Sequence, residues 1–298
     1  MCFVFLAVLL ILPSLLPQQT SATGPSRDKE AHTADNSKLF ELGAPTKLRK
    51  PPATGEFRVV SYNIRWRSGD DLQKLIKLFL EDEEIGNATV LALQEVDRHK
   101  ERSGKTNTAK LLAEKLGLYY AWAAPPTAKP HDEEETGVEL LSVYPLTKVC
   151  RIVLPNEGPN RRRRVALGAS ILVGNVEVRV YSAHAETRIS MDKKLEQLNA
   201  LLTDLKQDAP NSPAIIMGDL NTWQMNAAPK VIKLFTDAGF TTPFGNDKTF
   251  FRRVLLVPID LRLDWIWFRG IEAAEHGIDR KITISDHFPL WTTVKVVK

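Results

Sequence analysis

Six stretches of strand-type apolar residues, at 57–63, 90–95, 176–184, 214–221, 262–268 and 282–287, each carry or end in a cluster of polar side chains able to do chemistry. A strand that pins a rigid backbone and then releases a polar group at its end is a natural scaffold for a preorganised site. The ends offer Asn63, Glu95, His184, Asp219, Asn221, Asp264, Asp286 and His287. Taken singly, an Asp or Asn after a strand is an ordinary turn former, His184 an ordinary hydrogen-bonded histidine and Glu95 a solvated strand end; it is the set that carries weight. Continuous apolar runs suit strands covered on both faces, whereas the alternation over 176–181 suits one half-buried face.

Helical spacing fills the intervals. Leu72, Leu75, Ile76, Phe79 and Leu80 recur at three and four residues over 71–80, and Leu195, Leu198, Leu201, Leu202 and Leu205 do so over 192–205. Weaker helical patterns lie at 109–116 and 229–238, and 125–136 reads as an acidic loop. The strand-helix pattern starts at residue 56 and meets no second linker, so 56–298 is expected to be one domain. With 298 residues, 43% hydrophobic, 26% charged and a net charge of +4, a wholly disordered chain, a collagen and a polytopic membrane protein are excluded.

Residues 1–22 carry no charge and contain an apolar run from Phe3 to Leu12. The run is short for a membrane span, and Thr20-Ser21-Ala22 offers small residues for cleavage, which predicts a signal peptide and a secreted or periplasmic protein. A basic segment before the run is missing, so an uncleaved anchor stays open. The polar stretch 23–55 reads as a flexible linker. Loss of Cys2 with the signal would leave Cys150, in an apolar context, as the one cysteine of the mature chain, an inert strand residue. No CxxC, Cys/His cluster, P-loop, GxGxxG or GxSxG occurs.

The candidate set holds hard oxygen donors suited to Mg²⁺, with Mn²⁺ as a substitute, and two histidines, but no thiolate. Such an inventory suits metal-assisted hydrolysis of a phosphate ester, which needs a cation on the phosphate oxygens, a base for water and donors for developing charge.

In order along the chain stand Tyr-Asn-Ile (62–64), Leu-Gln-Glu-Val-Asp (93–97), Tyr-Ser-Ala-His (181–184), Gly-Asp-Leu-Asn (218–221), Leu-Asp-Trp-Ile (263–266) and Ser-Asp-His (285–287). Together these resemble the endonuclease/exonuclease/phosphatase superfamily of deoxyribonuclease- and sphingomyelinase-like enzymes. The stretch 137–145, ending in Ser-Val-Tyr-Pro, and Gln197 agree with it. The resemblance implies a four-layer α/β sandwich, two packed mixed β-sheets flanked by helices. It also implies roles: Glu95 as principal Mg²⁺ ligand with Asn63 beside it, and Asp286 as a second metal ligand or the orienter of His287. His287 would be general base or orienter of water, Asp219 would align the nucleophile, Asn221 would bind the scissile phosphate, His184 would donate to a phosphate oxygen, and Asp264 would act from its strand. Ala185 and Ser182 depart from the family pattern, and the carboxylate that some members supply to the first histidine is Glu139 or Glu135.

Substrate is less legible. Strand alternation through Arg161-Arg162-Arg163-Arg164 would send two arginines to each face, and Arg164, Asn221 and Trp223 are the expected substrate contacts. Arg252, Arg253 and Arg262 add to a nucleic-acid surface, while 81–84 and 132–135 are acidic and oppose one. Trp66 and Trp223 fall in loops where they can stack on a base or touch a lipid; Trp265 and Trp267 are expected in the core or an interface. Membrane-associated members of the family carry an exposed apolar hairpin, and Phe244, Phe250 and Phe251 around Gly245-Asn246-Asp247 are its candidates here. A nucleic-acid phosphodiesterase is the first expectation and a sphingomyelinase-like lipid or small-molecule phosphoesterase the second. A phosphate-binding module without turnover is the third. A monomer is the default.

Overall fold

The structure, a computed structural model, describes residues 36–52, 56–126, 135–255 and 257–296. The expected signal peptide, 1–22, and the 127–134 part of the acidic loop lie outside the described residues. In chain order the elements are β1 (Phe40–Gly43), β2 (Glu56–Asn63), α1 (Gly69–Glu81), β3 (Val90–Arg98), α2 (Thr108–Leu116), β4 (Tyr119–Ala123), β5 (Glu135–Ser142), β6 (Thr147–Val153), β7 (Val165–Val173), β8 (Val176–His184), α3 (Met191–Asp208), β9 (Ala214–Asp219), α4 (Ala227–Asp237), β10 (Phe250–Val254), β11 (Val257–Leu261), β12 (Asp264–Arg269), β13 (Ile271–Ile278) and β14 (Leu290–Val296).

Two sheets result. One has seven strands in the order β1-β4-β5-β3-β2-β14-β13, the other five in the order β12-β9-β8-β7-β6, and β10-β11 is a separate hairpin. Each large sheet contains one parallel pair, β2-β3 and β8-β9, joined through α1 and α3 respectively; a parallel pair needs such a crossover. The inner faces of both sheets meet in one core containing Val59, Leu91, Val180 and Met217, with α1 and α2 on the outside of the first sheet. A second core, Leu198, Leu201, Phe235, Trp265 and Trp267 among it, joins the second sheet to α3 and α4. These are the four layers expected.

Helix ends follow local chemistry. Asn107 caps α2 by accepting from the Lys110 N–H, and Gly117, at φ 69°, closes it in the left-handed region. Ser190 caps α3 by accepting from Lys193. All four expected helices form, and Trp265 and Trp267 are fully buried and stacked, ring centroids 5.1 Å apart.

Several expectations are corrected. The 23–55 segment is not all linker: β1 pairs with β4 as the edge of the seven-stranded sheet, Leu39 is buried, and Glu41 receives the Tyr120 hydroxyl at 2.5 Å. An apolar Leu-Phe pair beside an unpaired strand edge is reason enough for the chain to close over it. β8, expected to have one half-buried face, is buried on both, because Arg179, a polar member of the 176–181 alternation, donates to Asp204 at 2.8 Å inside the fold. Glu135 and Thr136 open β5 rather than belonging to a loop. Over 282–285 the chain is irregular, since Ser285 Oγ donates to the Asn63 carbonyl (2.8 Å) and accepts from the His287 N–H (3.2 Å). Cys150 is in β6 as expected, its thiol pushed up to about 12 by burial.

Candidate active site

Register alone builds one row of the site. His184 pairs with Asp219 across β8-β9, and Asp219 with Asp264 across β9-β12, so three polar side chains from adjacent strands share one face. Gly218 makes the row possible: its φ is +149°, and a Cβ there would run into the Ala183 carbonyl. From the opposite sheet β2 delivers Asn63 and β3 delivers Glu95. Glu95 sits in a β-bulge between Gln94 and Val96, at φ 57°, and lines the pocket. Bulges re-aim side chains, and this one turns Glu95 out of the regular β3 ladder.

The two sheets meet at Asp219. Its Oδ2 accepts from Asn63 Nδ2 at 3.0 Å and faces Nε2 of both histidines, His184 at 3.5 Å and His287 at 3.8 Å. Behind His287, Asp264 Oδ2 meets Nδ1 at 2.8 Å and is itself held by Thr249 Oγ1 at 2.8 Å. Burial alone would lower the His287 imidazole, but the charges of Asp264 and Asp219 overcome it and hold the ring up to about 10. His184 is held well below the usual histidine range by burial and by the adjacent Arg164. Burial lifts the Asp219 carboxyl to about 7, against the pull of His287. A carboxylate poised near neutrality beside a cationic imidazole is equipped to take a proton from water while the imidazole donates to an oxyanion.

Asp264, rather than Asp286, orients His287. Asp286 is salt-bridged to Arg65 at 2.7 Å. Neither Glu139 nor Glu135 backs His184: Glu135 binds Arg98, and Glu139 is buried with both oxygens unpartnered. Arg164 occupies that position instead, its Nη1 3.3 Å from His184 Nδ1.

For a dication the donor chemistry fits. The carboxylates of Glu95 and Asp286 line the pocket, and behind them Asn63 donates from Nδ2 to Glu95 Oε1 at 3.5 Å while its own hard oxygen, Oδ1, accepts from the Arg65 backbone N–H at 3.1 Å. Asp219, Asp264 and His287 also cluster, with one atom each within 4.8 Å of the others. That trio offers ligand atoms that could also hold a cation, and its imidazole is hydrogen-bonded to Asp264.

The pocket has a volume of about 340 Å³ and is lined by Arg65, Arg164 and Arg252 in addition to the acidic groups. Asn221, at φ 52°, lines it too, donating to the Ala185 carbonyl at 3.0 Å and accepting from Thr187. Trp223, 47% exposed, stands at the rim with its indole N–H on the Thr187 carbonyl. The arginine run does alternate: Arg162 and Arg164 share Glu186, whereas Arg163 turns to Glu157. Trp66 is flanked by the guanidiniums of Arg65, Arg67 and Arg102 at 5.6, 5.2 and 4.5 Å. Phe244 is buried, so the exposed apolar hairpin is β10-β11, whose Leu255 is 91% and Val257 63% exposed. Phe250 at its base packs edge-on to His287.

Residues not anticipated include Arg65, Thr249, Glu186 and Lys194. Lys194, fully buried on α3, donates to the Asn221 carbonyl, and burial lowers its ammonium to about 8. Only the helical period marked position 194 as part of a helix; nothing in the sequence ties it to the turn it supports.

The model of the Endonuclease/Exonuclease/phosphatase family matches residues 60–287. Among curated proteins none matches this sequence. Similar solved structures include the human Nocturnin catalytic domain with a bound sulfate anion, at 16% identity and TM-score 0.63, covering 90% of this chain and 100% of that one. Zebrafish TDP2 in complex with a single-strand DNA product is similar at 14% identity and TM-score 0.62, covering 82% and 100%. An endonuclease/exonuclease/phosphatase from Beutenbergia cavernae is similar at 17% identity and TM-score 0.62, covering 81% and 72%. Among the described residues no helix is long and apolar enough to cross a membrane.

Proposed function

Because the chain belongs to the endonuclease/exonuclease/phosphatase family, and is therefore a metal-dependent phosphoric ester hydrolase, we propose that it is a Mg²⁺-dependent phosphodiesterase acting on nucleic acid. The observation that carries the proposal is the convergence of Glu95, Asp219 and the Asp264–His287 pair on a pocket walled by three guanidiniums. Phosphate contacts dominate nucleic-acid affinity, and Arg65, Arg164 and Arg252 are set to make them.

Glu95 and Asn63 would hold the cation, which when bound supplies charge stabilisation to the phosphate oxygens. Asp219, lifted to about 7, takes the proton from the attacking water. His287, kept protonated by Asp264, donates from Nε2 to a phosphate oxygen, and His184 donates from the other side. In this reading Asp219 takes the base role expected of His287, and His287 joins His184 as a donor, since an imidazolium has no lone pair left to act as base. Trp223 at the rim offers a face for stacking.

Nicking of supercoiled plasmid by the purified protein tests the proposal. Nicking that requires Mg²⁺, stops with EDTA and is lost in His287→Ala supports it; a folded protein that leaves plasmid intact overturns the nucleic-acid part. A lipid-headgroup phosphodiester is the second substrate class, favoured by the exposed apolar tip of β10-β11 beside the pocket. Release of phosphorylated headgroup from sphingomyelin vesicles, weakened by Leu255→Ser, would move the assignment there. Export, expected from residues 1–22, belongs to the same proposal and is read by N-terminal sequencing of the mature protein.

A further inference from the structure

Behind Arg164 and His184, which line the pocket, lies a buried carboxylate, Glu186. Glu186 lies two residues beyond His184 and its side chain is fully buried. It accepts from Arg162 Nε at 2.8 Å, from Arg164 Nε at 3.2 Å and from the Arg188 backbone N–H at 3.0 Å. Its own N–H is fixed by Gln197 of α3 at 2.9 Å, and Gln197 is in turn tied to the Pro155 and Asn156 carbonyls. Gly158 leaves the space the carboxylate fills, since a Cβ there would sit 2.5 Å from the Glu186 carboxyl carbon. A buried carboxylate with this many partners is fixed in place, and it fixes what it holds.

What it holds is Arg164, whose Nη1 then faces His184 Nδ1 at 3.3 Å. A guanidinium has only donors and never loses its proton, so the imidazole nitrogen opposite must be the acceptor. A neutral imidazole that accepts at Nδ1 carries its single proton on Nε2. That nitrogen faces Asp219 and the pocket.

We infer that Glu186 is a positioning residue which, by clamping Arg164 against His184 Nδ1, locks His184 as the Nε2–H tautomer and so aims a neutral donor at the phosphate position. The use of that donor rests on the function proposed above; the tautomer does not. His184 is held neutral by the same surroundings, burial first and then Arg164, which is consistent with a donor that does not change charge.

The chain has six histidines, so ¹⁵N-histidine NMR at neutral pH resolves their ring nitrogens, with His184 assigned by difference from His184→Gln. Wild type is expected to show an unprotonated Nδ1 and a protonated Nε2 for His184. In Glu186→Gln the two signals move toward the averaged values of exchanging tautomers. Since Glu186 is buried and its variant can fail to fold, Arg164→Lys is the second probe: one ammonium cannot span Glu186 and His184 together, and the same averaging is expected. In both variants kcat for a phosphodiester falls about 10- to 100-fold, the scale for supporting partners of site residues, with a smaller change in KM. A wild-type His184 protonated on Nδ1, or an unchanged tautomer in a folded variant, overturns the inference whatever the substrate proves to be.

Discussion

His184 and His287 flank the same carboxylate, at 3.5 and 3.8 Å from Asp219 Oδ2, and both are buried, yet their surroundings drive them to opposite states. His287 has a carboxylate at Nδ1 and is held protonated; His184 has a guanidinium at Nδ1 and is held neutral. Burial pushes both rings in the same direction, so the difference comes from the charge behind each ring. One residue type thus supplies two kinds of donor in one pocket, a charged one and an uncharged one, and the choice is made on the far side of the ring from the substrate.

Removing the charge behind His287 should break the contrast most severely. Asp264→Asn is expected to lower turnover roughly 10³- to 10⁴-fold, the scale for losing a carboxylate that orients a catalytic imidazole, in a protein with unchanged circular dichroism; a loss under tenfold would mean that Asp264 does not set the state of His287. Asp219→Asn, which removes the group between the rings, should cost on the order of 10²- to 10⁴-fold as a lost general base, and the pH–rate profile should lose its ascending limb near 7.

Stability against pH sharpens the comparison further. Because His287 is raised from 6.5 to about 10 in the folded state, its contribution is fully present below pH 6.5 and is lost as pH rises through about 10. His184 is shifted the other way, so its contribution is lost as pH falls below 6.5. Urea midpoints should therefore decline less steeply on the alkaline side in His287→Gln and on the acid side in His184→Gln; matching slopes in wild type and both variants would erase the distinction. The smallest effect is expected at the hairpin tip, where Leu255→Ser should change stability by no more than about 0.5 kcal/mol, Leu255 being 91% exposed.

The strands that carry the site are legible in the sequence, because a long apolar run must be buried and the Asn, Asp or His that ends it then needs a partner at the edge of the core. Legibility falls where side chains outweigh propensity. Ile282-Thr283-Ile284 is strand-like in composition, but Ser285 anchors that stretch to Asn63 and keeps it irregular. β1 is short, and its place at a sheet edge depends on β4, far along the chain. The partners of the site residues were the least legible. Asp286 is adjacent to His287 in sequence yet pairs with Arg65, while Asp264 reaches His287 from β12. Arg162 and Arg164 reach Glu186 across more than twenty residues. Such pairings follow from three-dimensional placement, which residue type and spacing do not encode.

The His184–Asp219–Asp264 row also makes this enzyme a gauge of its own folding. Side chains in a strand alternate faces, so a slip of one residue in β9 would turn Asp219 away from both histidines at once. A misregistered sheet would have no weakened form of the site to offer; it would have none. Specific activity per molecule should therefore count native molecules, and catalysis can be used to titrate how much of a preparation, or of a destabilised variant, has reached the correct pairing.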